Sequence, residues 1–334
     1  GNTLGIGHAH PDMGGLLLFA EGEWQFNDDG YTTPATSNHN TLTINGEGQL
    51  NDPVYNKVQT SLYGFTGWQA GTFAKPFIEK QEIFGDMTYV ACNLTNIYPD
   101  YHYGAKDVKL EKYVRHYVYL KPEKTLFVVD EIKTTFESDF EIRWFPYSQS
   151  AVLQPDGSYL YSGKNSSMRL ETFAQDGVTV ENSVINKLYG KAGAFVDALT
   201  MQIRKTGKEW TQATAISWEN YQKGEPVNTS LKEENGIYYF STNDGIIMLD
   251  PKNQTVEKKK SESEINIKVD DVLLFSKDGI LSVNDRTYLP LKDCMEVLNL
   301  SLEGNVIKKG DIQLELSKLE NPLYENNGVS YVPL

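Results

Sequence analysis

Lys112-Tyr113-Val114-Arg115-His116-Tyr117-Val118-Tyr119-Leu120 is the stretch that decides the fold class. β-branched and aromatic residues alternate with polar ones at a period of two, which predicts a strand. Arg115 and His116 are neighbours on it and so face opposite sides, one toward a core or cleft and the other away. The same texture recurs in Thr41-Leu42-Thr43-Ile44 and in Met201 to Arg204, within a chain holding twenty Tyr and fourteen Phe. Asn45-Gly46, Asp156-Gly157, Asp176-Gly177, Glu234-Asn235-Gly236 and Asn243-Asp244-Gly245 punctuate these runs and mark hairpins. Sustained helical periodicity is confined to Leu291 to Leu300. The expected fold is mainly β, a large antiparallel β-sandwich with a small α+β C-terminal domain.

Composition narrows the function classes. At 334 residues and 40% hydrophobic content, the chain can bury one large core or two domains. Its net charge of −14 argues against a duplex nucleic-acid partner or an anionic membrane surface, since both need a basic footprint. No apolar run approaches the roughly 18 residues that span a bilayer, so no membrane insertion is expected. The first residues lack a basic and apolar leader, which places any secretion signal upstream of Gly1. A leading Gly reads as a processing scar, and an upstream domain is expected. Cys92 and Cys294 fall in different expected domains, which predicts free buried thiols.

Two parts are expected. Residues 1–250 keep a continuous strand and turn rhythm. Residues 251–264 turn polar and charged around a lone Val256 and read as a linker, with a solvated loop as the alternative. In residues 265–334 one pattern occurs twice, as Gly-Ile-Leu-Ser-Val-Asn-Asp-Arg-Thr-Tyr-Leu-Pro-Leu over 279–291 and Asn-Asn-Gly-Val-Ser-Tyr-Val-Pro-Leu over 326–334. Two copies of a turn, a Tyr-bearing strand and an apolar-Pro-Leu ending predict a small domain with internal pseudo-symmetry. The first copy runs on into a helical pattern over Lys292 to Asn299.

Chemistry is concentrated near the start. Three of the five histidines lie in the first forty residues, in His8-Ala9-His10-Pro11-Asp12 and Asn38-His39-Asn40-Thr41, with Asp28-Asp29-Gly30 between them. On a strand, residues i and i+2 face the same side about 6 to 7 Å apart, so His8, His10 and Asp12 can share a cleft. The strand of Leu16 to Ala20 and its return over Trp24 to Asn27 can bring Asp28 back beside His10, and the next turn can swing in His39. Two imidazoles and a carboxylate suit zinc, which takes three protein ligands and leaves a fourth position open. The alternative is a buried hydrogen-bonded cluster without metal. Asp12, following Pro11, reads first as a turn-forming carboxylate.

Here the chain resembles the heparinase II/III-like polysaccharide lyases and their alginate-lyase relatives. Gly7-His8-Ala9-His10-Pro11-Asp12, Asp28-Asp29-Gly30-Tyr31, His39-Asn40-Thr41 and Gly46 to Gln49 look like the start of their C-terminal β domain. Lys112 to His116 and Phe127-Val128-Val129-Asp130-Glu131 look like its next strands. The resemblance covers Gly5 to Trp144 well and continues more weakly to about Asp250. It implies β-elimination on a uronate-containing acidic polysaccharide, with His8 matching a catalytic histidine and His10, Asp28 and His39 matching a mainly structural zinc set. It also implies an upstream α/α toroid that supplies the catalytic Tyr and is absent from this chain, so the chain alone is expected to be inactive or very weak. Residues 265–334 resemble the small domain at the N-terminus of some copper amine oxidases and on many exported Gram-positive proteins. That stretch contains no His, so no copper role carries over.

The remaining candidates have two readings each. Arg115 is a candidate clamp for a substrate carboxylate or half of a structural salt bridge. His102, between Tyr101 and Tyr103, is flanked by rings that either stack on sugars or cover β surface. All five Trp are assigned to the core. Three classes follow: the C-terminal portion of a secreted or cell-surface lyase from a Gram-positive bacterium, a non-catalytic carbohydrate-binding or cell-surface module with the same β fold, and a scaffold whose histidines bind nothing.

Overall fold

A computed structural model describes residues 10–27, 30, 35–50, 52, 75–98, 110–148, 150–189, 194–242 and 245–260, together with the strands of 267–333. The chain divides into two compact units at about Glu257.

Among the described residues sixteen strands precede residue 261. They are β1 (Leu18–Ala20), β2 (Glu23–Phe26), β3 (Leu42–Ile44), β4 (Phe77–Phe84), β5 (Met87–Asn93), β6 (Leu110–Leu120), β7 (Thr125–Trp144), β8 (Ser150–Leu153), β9 (Tyr159–Ser162), β10 (Ser166–Thr172), β11 (Thr179–Tyr189), β12 (Ala194–Asn220), β13 (Ser230–Glu234), β14 (Ile237–Thr242), β15 (Gly245–Asp250) and β16 (Thr255–Lys260). Ten of these form one antiparallel sheet in the order β4-β5-β6-β7-β12-β10-β9-β8, with β11 on the first half of β12 and β3 on the last part of β7. Strands β7 and β12 carry it, pairing from Ser217↔Thr125 to Met201↔Trp144 with an irregularity between Gly207 and Glu209. A second sheet runs β13-β14-β15-β16.

Alternation along β6 and β7 explains why both faces are buried. Val114, Val118, Leu120, Phe127 and Val129 join Phe240, Ile247, Leu249 and Val256 of the four-stranded sheet. Phe127 stacks on Phe240 with ring centroids 4.3 Å apart. Their neighbours Tyr113, Leu126, Val128 and Ile132 face the other way and pack with Phe26, Leu42, Ile44, Leu94 and Trp144. Each enclosed aromatic contributes about 1.5–3 kcal/mol on transfer from water. The resulting mainly-β architecture of large antiparallel sheets agrees with the sequence expectation.

The turn chemistry also acts as expected. Asn45 and Gly46 both take positive φ, at 54° and 76°, so the tight turn after β3 closes through reciprocal Ile44 and Glu47 backbone hydrogen bonds. Asn235 and Gly236 repeat it between β13 and β14. In the stretch expected as a linker, Pro251 to Gln254 form a turn, while Thr255–Lys260 is strand β16 with Val256 buried. One inward Val among charged neighbours is enough for an edge strand, where outward Lys and Glu discourage pairing with other chains.

In the second unit the strands are β17 (Ile267–Val269), β18 (Val272–Leu274), β19 (Leu281–Val283), β20 (Arg286–Pro290), β21 (Ser301–Glu303), β22 (Val306–Lys309), β23 (Ile312–Glu315), β24 (Tyr324–Asn326) and β25 (Val329–Pro333). The repeated sequence pattern becomes two hairpins joined in one sheet, β19-β20-β25-β24. Tyr288 pairs with Pro333, Leu289 with Val332 and Pro290 with Tyr331, so the two Tyr-apolar-Pro copies meet around a local two-fold. The helical pattern over Lys292 to Asn299 lies largely outside the described residues.

Candidate metal centre and its supporting network

Among the described residues one group of metal-ligating side chains converges: His10, Asp12 and His39, whose ligand atoms all lie within 4.8 Å of one another. The imidazoles of His10 and His39 are tilted by 36° with centroids 5.4 Å apart. His39 is buried and the other two are half-buried. Zinc bonds of about 2.0–2.2 Å set tetrahedral ligand separations near 3.4 Å, so modest side-chain closure would complete three of four positions. Two imidazoles and a carboxylate are a suitable donor set for that ion.

Local sequence brings these residues together. The backbone carbonyl of Asp12 accepts from Gly15 N at 2.7 Å and makes a turn after Pro11, while its carboxylate lies with the histidines. Thr36–Asn38 make a single 3-10 turn, and His39 leaves it with extended backbone, its N–H bonded to the Thr36 carbonyl at 3.0 Å. Gln49 then clasps the first segment to the second. Its side-chain oxygen accepts from Met13 N at 3.0 Å, its amide donates to Met13 O at 2.8 Å, and its own N–H donates to Thr36 Oγ1 at 2.9 Å. Asn40 donates to Leu16 O and accepts from Phe145 N, both at 2.7 Å. Gly48 sits so tightly in this clasp that a Cβ there would lie 2.1 Å from Asp52 Oδ2 and 2.4 Å from Thr36 Oγ1.

Arg115 anchors the arrangement from below. It is fully buried, with Nε and Nη2 on the two oxygens of Asp130 at 2.6 and 3.1 Å. Nη1 donates to the carbonyls of Gly14 at 2.5 Å and Asn40 at 2.7 Å, one from each histidine-bearing segment. Tyr117 adds a hydroxyl to Gly14 O at 2.8 Å, its phenol pushed up to about 12 by burial, against the lowering effect of Arg115. The guanidinium is therefore directed into the fold and not toward a ligand. Of the two roles expected for Arg115, its full burial and these four hydrogen bonds match the structural salt bridge.

On the opposite face, Tyr89, His116, Glu131 and Lys112 form a chain. The Tyr89 hydroxyl lies 2.9 Å from His116 Nδ1, and His116 Nε2 lies 3.0 Å from Glu131, which pairs with Lys112 at 2.8 Å. An ionised Glu131 can only accept, so His116 Nε2 is the donor in that pair. Burial alone would raise the Glu131 carboxyl, but hydrogen bonds from His116 and Lys112 hold it below the ordinary range.

His8, Asp28, His102, Trp68 and Cys294 lie outside the described residues. His10 and His39, two members of the expected metal set, come together, and the third group beside them is the Asp12 carboxylate. Cys92 is a free thiol whose pKa is raised by burial, against the lowering effect of Arg115. Trp144, Trp210 and Trp218 are core residues as expected, whereas Trp24 is 38% exposed and packs edge-on against the exposed Phe19. Among the described residues no helix is long and apolar enough to cross a membrane.

The fold is shared with polysaccharide-degrading enzymes. A heparan sulfate lyase HepC structure from Pedobacter heparinus aligns with 76% of this chain at a TM-score of 0.51 and 14% identity. The heparinase III-BT4657 gene product aligns over the same share at 0.51 and 13%, and a structure of heparinase III over 74% at 0.52 and 17%. The chain spans only 36–37% of the length of those structures. No protein-family model and no curated protein matches it.

Proposed function

We propose that this chain is the C-terminal portion of a secreted or cell-surface polysaccharide lyase that cleaves a uronate-containing glycan by β-elimination. In that reaction a base removes the C5 proton of the uronate, the electrons form the C4–C5 double bond, the C4–O bond breaks, and an acid protonates the leaving oxygen. A positive or hydrogen-bonding group at the carboxylate makes the C5 proton acidic enough. The observation that carries the reading is the convergence of His10, Asp12 and His39 on a sheet with the fold of heparinase III structures. Zinc held by these residues, with Asp28 as the alternative carboxylate, would cross-link the two histidine-bearing loops. His8, two residues before His10, is the residue assigned to proton transfer, and an upstream α/α toroid would supply its partners. Residues 265–334 would be an accessory domain of the type found in exported Gram-positive proteins.

The test is ultraviolet absorbance of newly formed unsaturated uronate, with the toroid supplied in trans, for the parent chain and His8→Ala. Activity that needs both toroid and His8 is the expected result. Absence of product on every uronate polymer with the toroid present overturns the lyase reading and favours a non-catalytic carbohydrate-binding module.

A further inference from the structure

A cavity of about 400 Å³ opens between β9, β10, the start of β11 and β13, within the range of small-ligand sites. Its wall is aromatic and apolar: Tyr159 and Phe173 contribute rings, Val178 and Leu231 aliphatic surface, and the exposed Leu153 and Val180 the rim. Two carboxylates line it, Asp156 and Glu171, and among the described residues no Lys, Arg or His does. Asp156 is consumed by its own turn, where Ser158 donates from N at 3.0 Å and from Oγ at 2.7 Å, and Arg169 adds an ion pair. Glu171 is held differently. It is half-buried and accepts from Thr229 Oγ1 at 2.7 Å and from the Leu231 N–H, both neutral donors. Neighbouring cations are engaged elsewhere: Lys205 lines another cavity and meets this wall through Gln175 Oε1 at 3.3 Å, and Lys232 pairs with Glu234. A carboxylate offers about four lone-pair sites, so Glu171 keeps acceptor capacity. Burial pushes its carboxyl above the ordinary range, against the lowering effect of the two hydrogen bonds.

The geometry points to a binding site for a small organic ammonium ion, its charged head on Glu171 and its apolar body against Tyr159, Phe173 and Val178. A carboxylate on a partly enclosed wall attracts a cation far more strongly than the same charge in open water. Aromatic rings beside it favour a cation over a neutral group of the same shape. The apolar wall and rim select against a bare, strongly hydrated metal ion, which would leave most of the cavity without a partner. With both lining charges negative, an organic anion of equal size is excluded. The site is independent of the lyase reading, since none of these residues has a part in the proposed elimination.

The test is a titration of the full chain at neutral pH with benzylammonium, benzyl alcohol and benzoate, followed by protein NMR shifts. Benzylammonium is expected to bind about tenfold or more tightly than the alcohol, with benzoate weakest. Glu171→Gln keeps an acceptor for Thr229, so it is expected to erase that preference while leaving thermal unfolding near that of the parent. Equal binding of the ammonium and the alcohol, tighter binding of benzoate, or an unchanged preference in Glu171→Gln overturns the site. If Glu171→Gln does not fold, Leu153→Ala on the exposed rim is expected to weaken benzylammonium binding about threefold or more, and no change there overturns the site. No bond is cleaved in this titration, so its failure leaves the elimination assay to decide the lyase reading, and the reverse also holds.

Discussion

Replacing Arg115 by Met keeps the bulk of the side chain and removes four hydrogen bonds, two to Asp130 and two to the Gly14 and Asn40 carbonyls. Removing one partner of a buried ion pair costs about 3–5 kcal/mol, because the remaining charge is stranded. An orphaned buried carbonyl adds about 1–3 kcal/mol. Only Asn40 O is placed at that risk, since Tyr117 still donates to Gly14 O. The sum is about 4–8 kcal/mol, a large share of the roughly 5–15 kcal/mol that holds a typical domain folded. Guanidinium unfolding followed by tryptophan fluorescence is the direct assay, because Trp144 lies 5.3 Å from the guanidinium carbon. The double variant Arg115→Met with Asp130→Leu removes both charges and is expected to regain at least about 2 kcal/mol over the single one. It still lacks the donor to both histidine-bearing segments, so its zinc affinity should stay reduced while its stability recovers. A loss below about 1 kcal/mol in the single variant, or a double variant no better than it, would refute this role for Arg115.

Gly46 and Gly48, two residues apart, should behave differently. Gly46→Ala meets no atom within 4 Å and pays only for its φ of 76°, about 1–2 kcal/mol in thermal unfolding, with metal binding unchanged. Gly48→Ala drives a methyl into Asp52 and Thr36, so about 1–3 kcal/mol of overpacking should come with weaker zinc binding in a competition titration. Glu131 is a depressed carboxylate, so its stabilisation is present above the unfolded value and lost as pH falls through the folded one. Glu131→Gln should therefore lose less stability than the parent between about pH 5 and pH 3. An identical acid limb in both proteins would show that the His116 and Lys112 contacts contribute nothing.

Much of the fold was legible because period-two alternation and Asn-Gly turns act locally. Alternation on β6 could not say that both faces of the sheet are covered, and for that reason Arg115 read as a possible clamp although it is an internal tie. The 27 residues of β12 did not read as one strand, since its polar middle and Gly207 obscure the period where pairing with β7 shifts. Nor could a lone Val256 announce β16, because its burial depends on a distant sheet. His10 and His39 were legible as a scarce residue type in one neighbourhood. The approach of Asp12 to the histidines depends on a local turn, and the contribution of Gln49 depends on a pairing across 36 residues.

The two histidine-bearing loops are proposed to form one metal site. The decisive measurement is zinc titration of the untagged, chelator-stripped chain, with His10→Ala, His39→Ala, Asp12→Asn and Asp28→Asn measured in parallel. About one zinc per chain is expected, abolished by either histidine change and weakened 10-fold or more by Asp12→Asn, with chelation lowering the unfolding temperature of the parent. Clearly substoichiometric zinc, together with an unfolding temperature indifferent to chelation, would contradict it.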